Sequence, residues 1–243
     1  MDHQDHKKEV RHLATAGRYI ADFVYGANDG IITTFAIIAA SAGAGISASV
    51  ILILGFANLV ADGFSMATSN YLGIKSRQDF ELEQKRIEGE EIITKPEEEL
   101  QELRDIYIKK GFQGADLERA VQILAADKKV WVNEMLIGEL GIIPEEDIKS
   151  TPIRHAITTF FSFAIIGLIP ILPYLFGYSG DTGFYASMAL TGLALFVVGG
   201  SRVSITGGGF FKNGLQMLLT GGFAASMAYL IGFLVHQFTG LSL

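Results

Sequence analysis

Between Leu215 and Phe238 the chain runs 24 residues without a single Asp, Glu, Lys or Arg. Its strongly polar side chains, Gln216, His236 and Gln237, sit at the two ends. An uncharged stretch of ~20 residues is what an α-helix needs to cross ~30 Å of hydrocarbon. Four other segments have that length and character: 19–44, 47–74, 153–176 and 184–203. A soluble bundle would have to bury all of Leu215–Phe238 on every side, so the pattern favours a membrane. Backbone polar groups in lipid must be satisfied within the segment, which makes the spans helices. The fold class read here is therefore all-α, with five transmembrane helices.

The remaining charge is confined. Residues 76–150 hold 19 of the 26 acids and 11 of the 19 Lys and Arg. They read as a polar, helical insert between the second and third spans. Three parts follow: 1–75 with the N-terminal arm and two spans, 76–150 as the insert, and 151–243 with the last three spans. Threading five helices in order puts the N-terminal arm, the insert and the 203–214 loop on one side. Every Lys and Arg then lies on that side or at its edge, including Lys7, Lys8, Arg11, Arg18, Lys75, Arg154, Arg202 and Lys212. The other side carries only Asp181. By the positive-inside rule the insert and N-terminus are cytosolic, and the C-terminus is outside or lumenal. Pro170 and Pro173 predict a kink or early end in the third span. Met1–Val10 is polar and lacks an apolar core, so no secretory signal peptide is expected.

Composition closes several routes. With no cysteine there is no disulfide scaffold, thiolate zinc site, iron–sulfur cluster or cysteine nucleophile. A net charge of −7 argues against nucleic acid as a partner. The Gly207–Gly209 run is a loop, not a phosphate cradle.

Carboxylates at membrane depth point to function, because an unpaired charge there is expensive. Asp22 and Asp29 are seven apart, on one face of the first helix. On the second helix Asn58, Asp62 and Met66 form a stripe at i, i+4 and i+8. If the two faces meet, they offer hard carboxylate oxygens, an amide oxygen and one soft thioether. Oxygen alone would suit magnesium or calcium. A methionine shifts the preference towards a softer transition metal such as ferrous iron. Burial lets such carboxylates exchange metal for protons. Plainer readings exist for two of these residues: Met66 as packing, and Asp22 as a cap or a partner of Arg18. The small residues Gly26, Ala27, Gly30, Ala61, Gly63 and Ser65 allow close helix approach.

In the insert, Glu88 and Glu91 form one i,i+3 pair and Glu99 and Glu102 another, with Pro96 opening a second helix between them. Met135 and Glu139 are i,i+4 on a later helix that ends at Gly141. Acid-rich helices are often only solvated faces, and spacing leaves that alternative open. The absence of Glu-x-x-His disfavours a ferritin-like di-iron centre.

Three stretches together resemble the vacuolar iron transporter family. They are Ala27-Asn28-Asp29-Gly30, then Ala61-Asp62-Gly63-Phe64-Ser65-Met66 continuing to Asn70-Tyr71-Leu72-Gly73, and the insert from Pro96 through Leu103, Trp131-Val132 and Glu139-Leu140-Gly141. The resemblance implies a homodimer with five membrane helices per subunit that exchanges Fe²⁺ for protons. It implies a cytosolic three-helix metal-binding insert, with Glu88, Glu91, Glu99, Glu102, Met135 and Glu139 as ligands. Asp29 and Met66 match the family's pathway aspartate and methionine. The chain departs at Asn58, where many plant members carry Glu, and at Asp62, where they carry a small residue. It departs again at Leu136, often a second methionine, and at Arg18, an acid in some members.

The expected activity is thus a secondary transporter, not an enzyme. It would export Fe²⁺, or Mn²⁺, from the cytosol against protons, with these ions as cargo and no cofactor. The host bilayer would be the cell membrane in a prokaryote and a vacuolar-type membrane otherwise. A membrane-anchored metal buffer or sensor is the alternative, but it has no need of Asp29 and Asp62. A membrane ferroxidase lacks a redox site.

Overall fold

The computed structural model describes residues 3–143, 151–203 and 207–239, with side chains from Tyr19 onward. All regular structure among the described residues is helical. The chain divides into two compact units, residues 1–71 with 151–243, and residues 72–150.

Among the described residues, five helical segments are long and apolar enough to cross a membrane. Helix α1 spans His3–Gly43, so it begins well before the apolar segment read from sequence. It ends in a Schellman turn: Gly45 adopts φ 70°, Ile46 N–H donates to Ser41 O at 2.9 Å, and Gly45 N–H donates to Ala42 O at 3.2 Å. Helix α2, Ala48–Thr94, has 47 residues and is about 70 Å long at 1.5 Å per residue. That is about twice the hydrocarbon core, and only its first half is apolar. Nothing in its charged second half forbids helix until Pro96.

The third apolar segment is broken, as its prolines predict. Helix α6 covers Pro152–Ile166, a 3₁₀ turn covers Ile169–Ile171, and the four-residue α7 covers Leu172–Leu175. Ser187 donates to the freed Pro170 carbonyl at 2.7 Å. Helix α8 spans Gly180–Ser201 and α9 spans Phe210–Thr239.

Within the membrane unit α1 packs on α6, α8 and α9. Ala27 and Ile31 meet Ala194, Leu195, Val198 and Met217 in one apolar cluster. Phe35 and Ile38 join Ile51, Leu59, Phe163 and Ile171 in another. Gly26 and Gly30 allow α1 and α6 to approach closely. A Cβ on either would overlap α6, at Ser162 Oγ and Thr159 O for Gly26 and at the Phe163 backbone for Gly30. The close approach that Gly26 and Gly30 allow is therefore to α6 of the same chain.

The second unit contains the end of α2 and three further helices: α3, Pro96–Lys109; α4, Gly114–Ala125; and α5, Lys128–Gly138. Pro96 occupies the first turn of α3, followed by Glu97, Glu98 and Glu99, which suit the positive end of its dipole. Asp127 caps α5, accepting from Lys129 N–H at 2.8 Å and Val130 N–H at 3.4 Å. Ile92, Leu103, Ile106, Val121, Trp131 and Leu136 form a core of its own. The helix carrying Met135 stops at Gly138, so Glu139 is its C-cap and Gly141 lies beyond it.

Candidate metal pathway and acidic cluster

In the membrane unit the site is built on α1 and the first half of α2. Thr33 Oγ1 donates to the Asp29 backbone carbonyl at 2.8 Å, and Asn58 Nδ2 donates to Thr33 Oγ1 at 3.3 Å. This link sets Asn58 beside the turn that follows Asp29. Asp62 lies one helical turn further along α2, and its charge is felt at Asp29. Both aspartates are half-buried. Among the described residues, neither carboxylate has a hydrogen-bond donor or cation as partner. The two acids thus lie near one another on apolar helices, with no counter-charge among the described residues.

Met66 is half-buried and packs against the apolar cluster that includes Phe163 and Leu59. Asp22 has quite different surroundings. It accepts from Asn70 Nδ2 at 2.9 Å and from His155 Nδ1. Arg18, the partner considered from sequence, has its side chain outside the described residues. His155 is buried, and the sequence reading missed it. Its one visible signal was an imidazole at the start of an otherwise apolar span.

In the second unit, Glu88 and Glu99 are each only 5 % exposed. One carboxylate oxygen of each, Oε2, is buried without a hydrogen-bond partner. Buried acceptors are rarely left so. Burial raises Glu88 to about 7, helped by the charges of Glu139, Glu99, Glu91 and Glu102. Burial likewise raises Glu99 to about 7, with Glu102, Glu91 and Glu139 adding to it and Lys95 opposing. Glu139 is pushed up by burial and then by Glu102 and Glu91. The five glutamates therefore share one electrostatic field. Met135 is fully buried in the apolar core of the unit.

Among the described residues, no three His, Asp or Glu side chains stand close enough together to enclose a metal ion. The acids are gathered but not closed into a coordination sphere. The donor set, carboxylates with one thioether nearby in sequence, suits a divalent cation of intermediate softness.

Known proteins resemble this chain over almost all of its length. The model of the VIT family matches residues 20–233. A vacuolar iron transporter of Toxoplasma gondii is 34% identical, covering 98% of this chain and 81% of the relative. Vacuolar iron transporter 1 of Oryza sativa subsp. japonica is 31% identical, covering 93% and 89%. That of Arabidopsis thaliana is 29% identical, covering 96% and 92%.

Proposed function

The chain belongs to the VIT family, and on that premise we propose that it is a secondary transporter moving Fe²⁺ out of the cytosol in exchange for protons. The observation that carries this reading is the Asp29–Asp62 pair, two carboxylates on membrane helices with no cation beside them among the described residues. A buried charge without a partner is strongly disfavoured. A divalent cation, or protons in its place, relieves that repulsion. The same site thus holds either species, which is what exchange requires.

In this reading Asp29, Asp62 and Met66 hold the ion, Asn58 orients the Thr33 link beside them, and Asp22 lies on the path towards the cytosol. The unit of residues 72–150 is cytosolic, and Glu88, Glu91, Glu99, Glu102, Met135 and Glu139 collect ions before translocation. Mn²⁺ is close to Fe²⁺ in its ligand preferences and is a second cargo. Two copies of the chain form the working transporter in a lipid bilayer. The plainer alternative, a membrane-anchored metal buffer, leaves the membrane aspartates without a task.

Reconstitution tests the reading. Vesicles containing the protein should accumulate Fe²⁺ saturably, with Mn²⁺ competing, while empty vesicles should not. Equal accumulation in both contradicts transport and leaves the buffer.

Orientation has its own test. A tag inserted near Gly114 should be accessible from the cytosol, and one after Leu243, a position outside the described residues, should not. Both tags on one side would remove the five-span threading.

Met66→Leu keeps side-chain volume and deletes only the thioether, so Fe²⁺ uptake should fall more than uptake of a harder ion such as Mn²⁺. Equal losses for the two ions would make Met66 a packing residue of the Phe163 cluster.

A further inference from the structure

Each carboxylate oxygen of Asp22 accepts a hydrogen bond from another helix. Its Oδ1 accepts from Asn70 Nδ2 of α2 at 2.9 Å, and its Oδ2 accepts from His155 Nδ1 of α6. The second proton of the Asn70 amide goes to Thr159 Oγ1 at 2.8 Å, and that hydroxyl donates to the His155 carbonyl at 3.0 Å. The Tyr19 ring stacks on the imidazole with centroids 4.7 Å apart and planes 28° apart. The side chains of His155 and Asp22 are 7% and 14% exposed. Helices α1, α2 and α6 therefore meet at one carboxylate.

This environment is opposite to that of Asp29 and Asp62, one to several turns away on the same helices. Among the described residues those two acids have no partner, whereas Asp22 is paired twice. A carboxylate that served only to hold a cation would be left open in the same way. A carboxylate that served only to tie helices together would not need to be charged, since Asn or Ser could make such bonds at membrane depth with far less penalty.

We infer that His155, supported by Asn70, is a positioning residue that competes with the transported cation for Asp22. The inference rests on the transport reading above. A cation reaching Asp22 competes with the imidazole N–H for the electron density of Oδ2. When it moves on, the same N–H returns and keeps the ion from being retained. A hydrogen bond to a charged group is strong enough to weaken Asp22 as a cation ligand by about tenfold or more. His155 thus makes Asp22 a transient stop instead of a trap.

The test uses the full chain in detergent, with Glu88, Glu91, Glu99 and Glu102 replaced by Ala to silence the acidic cluster. Mn²⁺ is the probe, and its binding is followed by loss of the free-ion resonance signal. His155→Ala should tighten Mn²⁺ binding by about tenfold, set by the lost charge-assisted bond. Adding Asp22→Asn to it should abolish that gain. His155→Asn sets an amide N–H near the position of Nδ1 and should bind Mn²⁺ as the parent does.

In proteoliposomes His155→Ala should lower both KM and the maximal uptake rate, a combination that loss of a purely structural tie does not produce. Unchanged or weaker Mn²⁺ binding in folded His155→Ala overturns the inference, as does a gain that survives Asp22→Asn. If His155→Ala fails to fold, Asn70→Ala removes one of the two bonds. It should tighten binding by a smaller factor, and no change would overturn the inference. Absence of uptake by the unaltered protein would sink transport itself, while the equilibrium comparison would still report on the competition at Asp22.

Discussion

Asp29→Asn is expected to reduce Fe²⁺ uptake into proteoliposomes nearly to the level of empty vesicles. Asn matches the shape of Asp and keeps the helix. Among the described residues, the side-chain hydrogen bond at this position, from Thr33 Oγ1, goes to the backbone carbonyl, so the substitution leaves it intact. What disappears is the charge that balances a divalent ion. Removing one partner of a buried charge pair destabilises it by about 3–5 kcal/mol, more than a hundredfold in occupancy. The Asp62 charge then stands alone against two positive charges. Wild-type uptake by Asp29→Asn, with the protein shown to be folded and inserted, would remove the residue from the pathway.

The second large effect belongs to the acidic cluster. Replacing Glu88, Glu91, Glu99 and Glu102 by Ala should abolish divalent-ion binding by residues 76–150 and leave their helices in place. Transport by the full chain should slow without ending, because an ion can still diffuse to the mouth. Calorimetric binding unchanged by the four substitutions would return these acids to the role of a solvated face.

The same cluster gives a pH dependence whose sign is fixed. Glu88 and Glu99 are raised from 4.5 to about 7 in the folded chain, so between those values the native state holds more protons than the unfolded one. Stability contributed by these groups is therefore highest below pH 4.5 and declines as pH rises towards 7. Metal binding must displace those protons, so it should weaken as pH falls through 7 and release protons on mixing. Glu88→Gln and Glu99→Gln should raise the metal-free melting temperature at pH 8 and weaken ion binding. A melting temperature that falls in both variants would contradict this electrostatic account.

How much of this was legible in the sequence differs between fold and site. The five spans were, because Leu215–Phe238 and its counterparts announce themselves by length and lack of charge. Their ends were less so. Helix α2 continues to Thr94 because Lys75 and the charges after it are compatible with helix, so the end of the apolar segment is not the end of the helix. Helix α4 went unread because Leu117 and Val121 are its only buried apolar residues.

Asp29 and Asp62 stood out by depth alone. The tie between Asp22 and His155 spans 133 residues, and that between Asp22 and Asn70 spans 48, so both are tertiary facts beyond any periodicity. Glu88 and Glu90 look alike in sequence, yet one is 5 % exposed and the other faces solvent. Packing of the second unit, not spacing, singles out Glu88. Met135 was read for its thioether, and its complete burial among Leu103, Trp131 and Leu136 shows how strongly core formation also fixes that position.

Coupling between iron and protons is the central claim, and one measurement addresses it directly. Proteoliposomes loaded with a pH-sensitive dye and an acidic lumen are given external Fe²⁺, and lumenal pH and iron content are recorded together. The expected result is iron accumulation with simultaneous alkalinisation of the lumen, both absent in Asp29→Asn and both lost when an ionophore dissipates the gradient beforehand. Iron accumulation that proceeds at the same rate without a gradient, and with no movement of lumenal pH, would contradict proton exchange.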